Sequence, residues 1–583
     1  MAEGQVLLHN EAAGKWLHFR DPQQIIVSYK AEEVIAALKT IELLVQSHGW
    51  HAAGFLSYEA ASAFDNALCA RSAQDLPLLW FGLYPNAEEY ELPKADFGAY
   101  ALAEPVPTIS QEEYSQAIER IKRYIKSGDT YQVNYTLRLK SCFCGDPFQL
   151  FLAMVQAQAA GYSAWIDTGR YAICSASPEL FFHLEGDALM CKPMKGTVRR
   201  GRTLDEDTSL ADWLYRSEKN RAENLMIVDM IRNDLGRVAE LGSVQVPRLF
   251  EVERHPTLWQ MTSTVTATCR KSFSEIMAAL FPCASITGAP KIRTTQIIAE
   301  LETAARGIYT GSIGFLTPNR TAQFSVAIRT AVVDRNTAQV EYGSGGGIVW
   351  DSACGDEYTE ALLKSRVLTE QRPEFSLLET MLWTPDESYF LLDYHLRRLA
   401  DSAKYFGFPA DIVSVRKRLL ARCSDFSVEP MRVRLLIDSN GRPEIQADPL
   451  CGVKGDRPVR IMLAREAVNS ADIFLYHKTT YRQIYEEARN SCSDCDDVLL
   501  WNEREEITES SIANVVVKIG EDLFTPPRDS GLLAGTFREW LLETGQIRER
   551  ILKVRDLDRS SKIYLINSVR KWQEAILCSQ GCA

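Results

Sequence analysis

The feature that most limits how this chain can fold is a break at residues 371–376, QRPEFS. It follows GDEYTEALLKSRVL (355–368), which has helical spacing, and its Pro373 cannot sit inside a helix. A chain of 583 residues is too long for one hydrophobic core. The break is therefore read as a linker, 371–376, between a domain at 1–370 and a second at 377–583. In the first, 1–110 mixes strand-like runs (QVLLHN, QIIVSY, LPLLWFGLY) with a helical EEVIAALKTIELLVQS. QEEYSQAIERIKRYIKSGD, 111–129, has helical spacing ending at a glycine, and strands alternate with helices from there to about 370. No internal repeat is present.

Bulk properties exclude several classes of function. The net charge is −12, with no basic block, which argues against nucleic acid as a partner. No apolar run reaches the roughly 18–20 residues that span a bilayer, and MAEGQVLLHNEAAGKW lacks the order of a signal peptide. The fourteen cysteines are scattered, as suits a reducing, cytoplasmic location. The one CxxC, Cys492 to Cys495, has no second pair to complete a zinc site.

Chemistry concentrates first in CKPMKGTVRRG, 191–201. Lys195 stands there between Met194 and Gly196, with Arg199 and Arg200 close behind. A neighbouring cation or burial lowers an amine's pKa and makes it a nucleophile. Taken alone, the stretch is equally a basic surface hairpin. SASPELFF places Glu179 between strand-like segments, and EKNRAENLMIVDMIRNDLGRV (218–238) reads as a helix carrying Glu223. Glu357, Glu360 and Lys364 share one face of a further helix by their i, i+3, i+4 spacing. Carboxylates gathered from separate helices suit Mg²⁺, although solvated ion pairing gives the same spacing. The run YGSGGGIVWDS, with Gly345 and Gly346, lets backbone N–H groups approach an anion or simply makes a bulge.

Taken together, these stretches resemble the chorismate-utilising enzymes. The resemblance covers about 111–370 through GDTYQVNYTLRL, SASPELFF, KPMKGTVRRG, EKNRAENLMIVDMIRNDLGRV, SITGAPKIR, GIYTGSIGF, FSVAIRT and GSGGGIVWDS. It implies a two-sheet α/β sandwich. It also implies Mg²⁺ held by Glu223 and Glu360, with Glu357 close by, against the ring carboxylate of chorismate. Arg329, Tyr309 and the amides near Gly345 and Gly346 would hold the enolpyruvyl carboxylate, Lys364 would add charge, and His255 would lie near the substrate. Members that add water have a lysine where this chain has Gln132, and a glutamine cannot act as general base. Anthranilate synthases share the glutamine but have alanine at the position of Lys195. A lysine there resembles the aminodeoxychorismate synthases. That branch implies attack by Lys195 on C2 of chorismate, protonation of the departing C4 hydroxyl by Glu179, and displacement of the lysine by ammonia. Glu179 should then have a raised pKa. No glutaminase elbow is evident, so ammonia is expected from a separate glutamine amidotransferase subunit.

The C-terminal half holds a second set. Lys478 lies in FLYHKTTYR, Glu509 in EITESSIANVVV, and Gly535–Thr536 open a helix in LLAGTFREWLLE. A lysine, an acid and a phosphate seat at a helix start suit pyridoxal phosphate, although each residue alone has an ordinary structural explanation. The set resembles the fold-type IV pyridoxal-phosphate enzymes over nearly all of 377–583, and implies a C-terminal α+β domain. Lys478 would be the Schiff-base lysine and Glu509 the partner of the pyridine nitrogen. Arg398 of HLRRL, Thr536 and Ser510 or Ser511 would bind the phosphate, and Thr380 would lie near the substrate. Members usually begin with extra strands that this domain lacks, so either the preceding sequence supplies that edge or the fold is trimmed. The family commonly dimerises, which makes a homodimer through this domain an expectation. The two halves together imply an α+β chain that aminates chorismate and then removes pyruvate to leave 4-aminobenzoate. The alternatives are an anthranilate synthase joined to an aminotransferase, and a non-catalytic scaffold for an amidotransferase.

Overall fold

The computed structural model describes residues 2–578, apart from 73–74, 159, 370–372, 427, 451–456 and 493. Residues 371 and 372 of the expected linker thus lie outside the described residues. Two compact units emerge: Met1–Arg199 with Ala211–Arg372, and Arg200–Leu210 with Pro373–Ala583.

The first unit is built on two antiparallel sheets. One runs in the order 288–289, 132–145, 339–348, 330–334, 171–177, 162–167, 6–10, 15–19, 88–90. The other runs 194–199, 258–268, 188–192, 180–185, 321–326, 312–316, 51–56, 79–84, 24–28. Strand alternation assigns side chains to layers. Val6 and Leu8 join Phe55, Trp80, Ile166 and Phe315 in a core drawn from both sheets, whereas Leu7 joins the core under helices on the outer face. Gln111–Lys126, Pro147–Gln158 and Lys291–Leu301 cover the first sheet, and Ala31–His48, Glu218–Gly236 and Phe273–Leu280 cover the second. Both faces of each sheet are therefore buried, and runs such as LWFGLY (79–84) are apolar throughout, without alternation. The helix at 111–126 starts on a reciprocal cap between Ser110 and Glu113.

Two short crossovers between these sheets matter most for chemistry. The chain leaves the strand Tyr171–Ser177 in one sheet and enters Leu180–Glu185 in the other through Pro178 and Glu179. It returns from Thr321–Val326 to Thr330–Asp334 through Ala327, Ile328 and Arg329.

In the second unit, a four-stranded antiparallel sheet (388–389, 377–384, 431–437, 443–449) packs against the helices Leu392–Phe406 and Ile412–Arg422. A larger sheet runs 507–510, 497–501, 459–463, 571–577, 562–567, 514–519, 522–525, 548–549. It closes on itself where Glu509 pairs with Asn514, around Ile461, Leu499, Ile507, Val515 and Leu565. The preceding sequence does contribute to this unit, but as the turn and helix start Arg200–Leu210; among the described residues none of the sheet strands in this unit comes from before Leu377.

Candidate functional sites

In the first unit the glycine run occupies the strand Gln339–Ile348, paired with Gln132–Gly145 so that Gly345 faces Thr136 and Gly347 faces Asn134. These glycines leave room for other side chains. A Cβ at Gly347 would stand 2.6 Å from Gln132 Nε2 and 2.8 Å from Lys195 Nζ, and one at Gly346 would stand 3.1 Å from Glu357 Oε2. The Glu357 carboxylate lies against Gly346, and amine and amide meet at the neighbouring Gly347. Lys195 reaches it from the strand Met194–Arg199 of the other sheet, and the helix carrying Glu223 is tied beneath by Asn224 Nδ2 donating to the Lys195 carbonyl at 3.4 Å.

Burial lowers the Lys195 pKa; Glu223, Glu179 and Glu360 oppose the shift, and Lys364 adds to it. The cation named among the strongest influences on Lys195 is Lys364. Of the two arginines that follow the amine in KPMKGTVRRG, Arg200 belongs to the second unit, paired to Asp207. Glu179 is buried at its crossover, and burial pushes its pKa up to about 7, against hydrogen bonds from Ser285 and the Met194 backbone and the nearby Lys195 charge. Among the described residues its Oε1 has no partner, and neither polar atom of the buried Gln132 amide has one. A buried polar atom without a partner costs ~1–3 kcal/mol, and a bound polar ligand would supply one.

The remaining predicted groups lie around this point. Lys364 Nζ bonds Glu360 at 2.7 Å and donates to the Gly345 carbonyl at 2.9 Å. Burial raises Glu357, partly countered by Ser352, whereas for Glu360 burial is outweighed by Lys364, Lys195 and Arg329 and the pKa falls. Arg329 sits at its crossover with φ +51°, a conformation costing ~1–2 kcal/mol, and its charge is felt by Tyr309, His255 and Glu360. The Tyr309 ring, against which a Cβ at Gly343 would press at 2.1 Å, is buried under the Arg138 guanidinium. Burial lowers the pKa of His255 and favours a neutral ring. Among the described residues no three metal-ligating side chains form a group able to hold an ion by themselves. Hard carboxylate donors from two helices fit a Mg²⁺ that takes its other ligands from substrate and water.

The second unit surrounds Lys478 with two wired clusters. Burial lowers its pKa to about 8, with Arg398 and Arg482 adding to the shift and Glu379 and Glu509 opposing it. Glu509 accepts from Tyr485 Oη at 2.8 Å, Leu533 N at 3.1 Å and Asn514 Nδ2 at 3.2 Å, and burial still raises it to about 7. On the other side Glu379 receives Arg398 Nε at 2.9 Å and Nη2 at 2.6 Å, and lies 2.6 Å from His395 Nδ1. Burial would raise Glu379, but Arg398 and His395 hold it at about 2. The far nitrogen of His395 is 3.2 Å from Thr536 Oγ1, and Gly535 N donates to Asn514 Oδ1 at 3.1 Å. Asn514 thus links the acid to the start of the helix Thr536–Glu543. A buried amine between a hydrogen-bonded acid and an arginine beside a helix start fits pyridoxal phosphate.

Other predicted residues fall differently. Ser510 Oγ closes the 510–513 turn on Ala513, and Ser511 Oγ bonds Asp497. The Ser510 hydroxyl thus serves the turn and that of Ser511 ties it to the neighbouring strand, and no described bond links them to Arg398 or Thr536. Thr380 pairs with Arg434 across the small sheet, one residue from Glu379, and its carbonyl accepts from Ser568. Sequence reading missed Ser285, Glu379, His395, Tyr485 and Asn514. Ser285, Glu379, His395 and Asn514 adjoin or lie within quoted motifs that do not single them out, whereas Tyr485 lies outside every quoted stretch and matters through its contact with Glu509.

Residues 3–370 match the chorismate binding enzyme family, and the chain belongs to it. Residues 376–576 match the amino-transferase class IV family. Among similar proteins is aminodeoxychorismate synthase component 1 of Bacillus subtilis (strain 168), 37% identical over 293 residues, 50% of this chain and 61% of that protein. A probable chloroplastic aminodeoxychorismate synthase of Oryza sativa subsp. japonica is 41% identical over 285 residues, 48% of this chain and 31% of that protein. The chain thus spans less than two thirds of either relative. Anthranilate synthase component I from Streptococcus pneumoniae TIGR4 superposes with a TM-score of 0.53 at 23% identity, covering 64% of this chain and 93% of that one, which supports the sandwich fold. No described helix is long and apolar enough to cross a membrane.

Proposed function

We propose that the chain makes 4-aminobenzoate from chorismate in two stages, one in each unit. In the first, the Lys195 amine bonds to ring C2, both conjugated ring double bonds shift by one position, and the C4 hydroxyl leaves as water with a proton from Glu179. Ammonia then bonds to C4, both double bonds shift back, and the lysine departs, leaving 4-amino-4-deoxychorismate. The proton that ammonia sheds restores Glu179. Dividing one displacement into two is the gain of covalent catalysis. The observation that carries this reading is the meeting of Lys195 Nζ with the partnerless Gln132 amide and the glycine strand, beside a buried Glu179. Glu223 and Glu360, with Glu357 close by, would hold a Mg²⁺ that neutralises the ring carboxylate. Arg329, Tyr309, Lys364 and the amides around Gly345 and Gly346 would orient the side-chain carboxylate, with His255 nearby as a neutral group.

The second stage eliminates pyruvate. Pyridoxal phosphate, when bound, would accept the electron pair left when carbon loses its proton. Lys478 would carry that proton, and its lowered pKa suits the task. Glu509 would hold a proton at the pyridine nitrogen, Arg398 and Thr536 would anchor the phosphate, and Thr380 would border the substrate. Similar proteins named component 1 support ammonia delivery by a separate amidotransferase subunit.

Incubation with chorismate, ammonium and Mg²⁺ tests both stages. Expected is 4-aminobenzoate with pyruvate when pyridoxal phosphate is added, and accumulation of the amino intermediate without it. Appearance of ortho-aminobenzoate, or no turnover of chorismate, would sink the proposal.

A further inference from the structure

The second unit includes one stretch from far upstream, and that stretch grips the residues around Lys478. Arg200 makes a buried two-pronged pair with Asp207, Nε to Oδ1 and Nη2 to Oδ2, both at 2.7 Å. Gly201 N donates to the same Asp207 Oδ1 at 2.8 Å. A Cβ at Gly201 would lie 2.2 Å from the Asp207 backbone nitrogen, so only glycine lets the turn fold back so tightly. The turn then takes hold of Tyr405 at both ends. Arg200 Nη2 donates to the Tyr405 carbonyl at 2.8 Å, the Tyr405 hydroxyl donates to the Gly201 carbonyl at 2.6 Å, and the guanidinium lies 4.5 Å from the ring centre. Arg202 does the same for Tyr476, with Nη1 3.0 Å from its hydroxyl and the guanidinium 5.2 Å from its ring.

His477 follows Tyr476 in the chain and packs against Tyr405 and Phe406. Its ring lies 4.3 Å from that of Tyr405 and its Nδ1 is 2.9 Å from Ser402 Oγ. Burial, then the Arg528 charge, push His477 down to about 3, so its ring is neutral packing material. Lys478 follows directly. From the other side its carbonyl accepts from Leu378 N at 2.9 Å, and Thr480 N donates to the Ser376 carbonyl at 2.9 Å. The segment bearing the amine is thus fixed by the small sheet on one side and by the Tyr405–His477 stack on the other.

We infer that Arg200, Gly201 and Arg202, locked by Asp207, are positioning residues for Lys478, supplied to the C-terminal site by a turn from within the N-terminal sequence. Neither the turn nor Asp207 touches the amine; they act through Tyr405, Tyr476 and His477. The role given to Lys478 rests on the proposed second stage, whereas the packing does not.

The test uses the full chain and the variants Asp207→Asn and Arg200→Lys, each of which keeps size while spoiling the two-pronged pair. Hydrogen exchange of the amides at 474–482, measured without cofactor, should quicken about 10-fold while the 132–145 strand is unchanged. Affinity for pyridoxal phosphate, followed by visible absorption, should fall about 10–100-fold, and the pH midpoint of the absorption change should move. Unchanged exchange at 474–482 in both variants overturns the inference. Faster exchange with unaltered affinity and pH midpoint overturns it too, since the turn would then be structural only. If the unsubstituted chain itself binds no pyridoxal phosphate, the proposed second stage fails, and the exchange measurement alone decides whether this turn holds the lysine segment.

Discussion

Each unit buries a lysine and lowers its pKa, yet the two surroundings are finished differently. Around Lys195, the Gln132 amide and one Glu179 oxygen lack partners among the described residues, and a glycine strand leaves space where side chains would stand. Around Lys478, Glu509 and Glu379 each have several partners, joined through Asn514 and through His395 to the same helix start. Unpaired buried groups are a standing cost that a transient polar substrate relieves each turnover. Carboxylates paired in this way would hold their geometry between turnovers, as a resident cofactor would need. The same device, an amine whose pKa burial lowers, would thus serve two tasks according to what is left unpaired beside it.

The sharpest break between the two sites is a pair of alanine variants. Lys195→Ala should lower chorismate amination by roughly 10⁴-fold or more while conversion of supplied 4-amino-4-deoxychorismate persists, and Lys478→Ala should do the reverse. Loss of both reactions in either variant would mean that the amines are not independent. Next in size, Glu179→Gln should cut amination about 10²–10³-fold, because a proton donor is removed while shape is kept; single-turnover rates in saturating ammonium would show it. In the second unit, Tyr485→Phe removes one of three donors to Glu509. It should weaken pyridoxal phosphate binding about 10-fold, as expected for one hydrogen bond to a charged group, in an equilibrium titration.

The smallest effect is a displacement in pH. Glu179 must be protonated to act, so amination should decline as pH rises through about 7. The hydrogen bond from Ser285 favours the charged carboxylate and lowers this pKa. Ser285→Ala should therefore move the alkaline limb upward by a fraction of a unit. The group also bears on stability. Its folded pKa lies above the ordinary 4.5, so the native state binds the extra proton between about 4.5 and 7 and loses stability as pH rises across that window. A downward move of the limb in Ser285→Ala would show that another acid supplies the proton.

Much of the framework was legible beforehand. Helices predicted by spacing at 111–129, 218–238 and 355–368 form at 111–126, 218–236 and 354–365, because periodic apolar positions and end signals are local properties. The motifs also announced Lys195, Glu179, Lys478 and Glu509. The partners of these groups were not legible. Ser285 lies 106 positions beyond Glu179, and nothing in SITGAPKIR marks its hydroxyl as one that meets a carboxyl.

The amino-acid order alone determined which residues could do chemistry and which segments would be helix or strand, since both follow from side-chain type and near-neighbour spacing. Tertiary structure decided which cation stands among the strongest influences on Lys195 and where Arg200 belongs. Lys364 reaches the first site from a helix 169 positions downstream, while Arg200, only five positions from Lys195, turns away to pair with Asp207 in the second unit. Electrostatic influence depends on distance through space and on burial, and the chain path sets both only once it is folded.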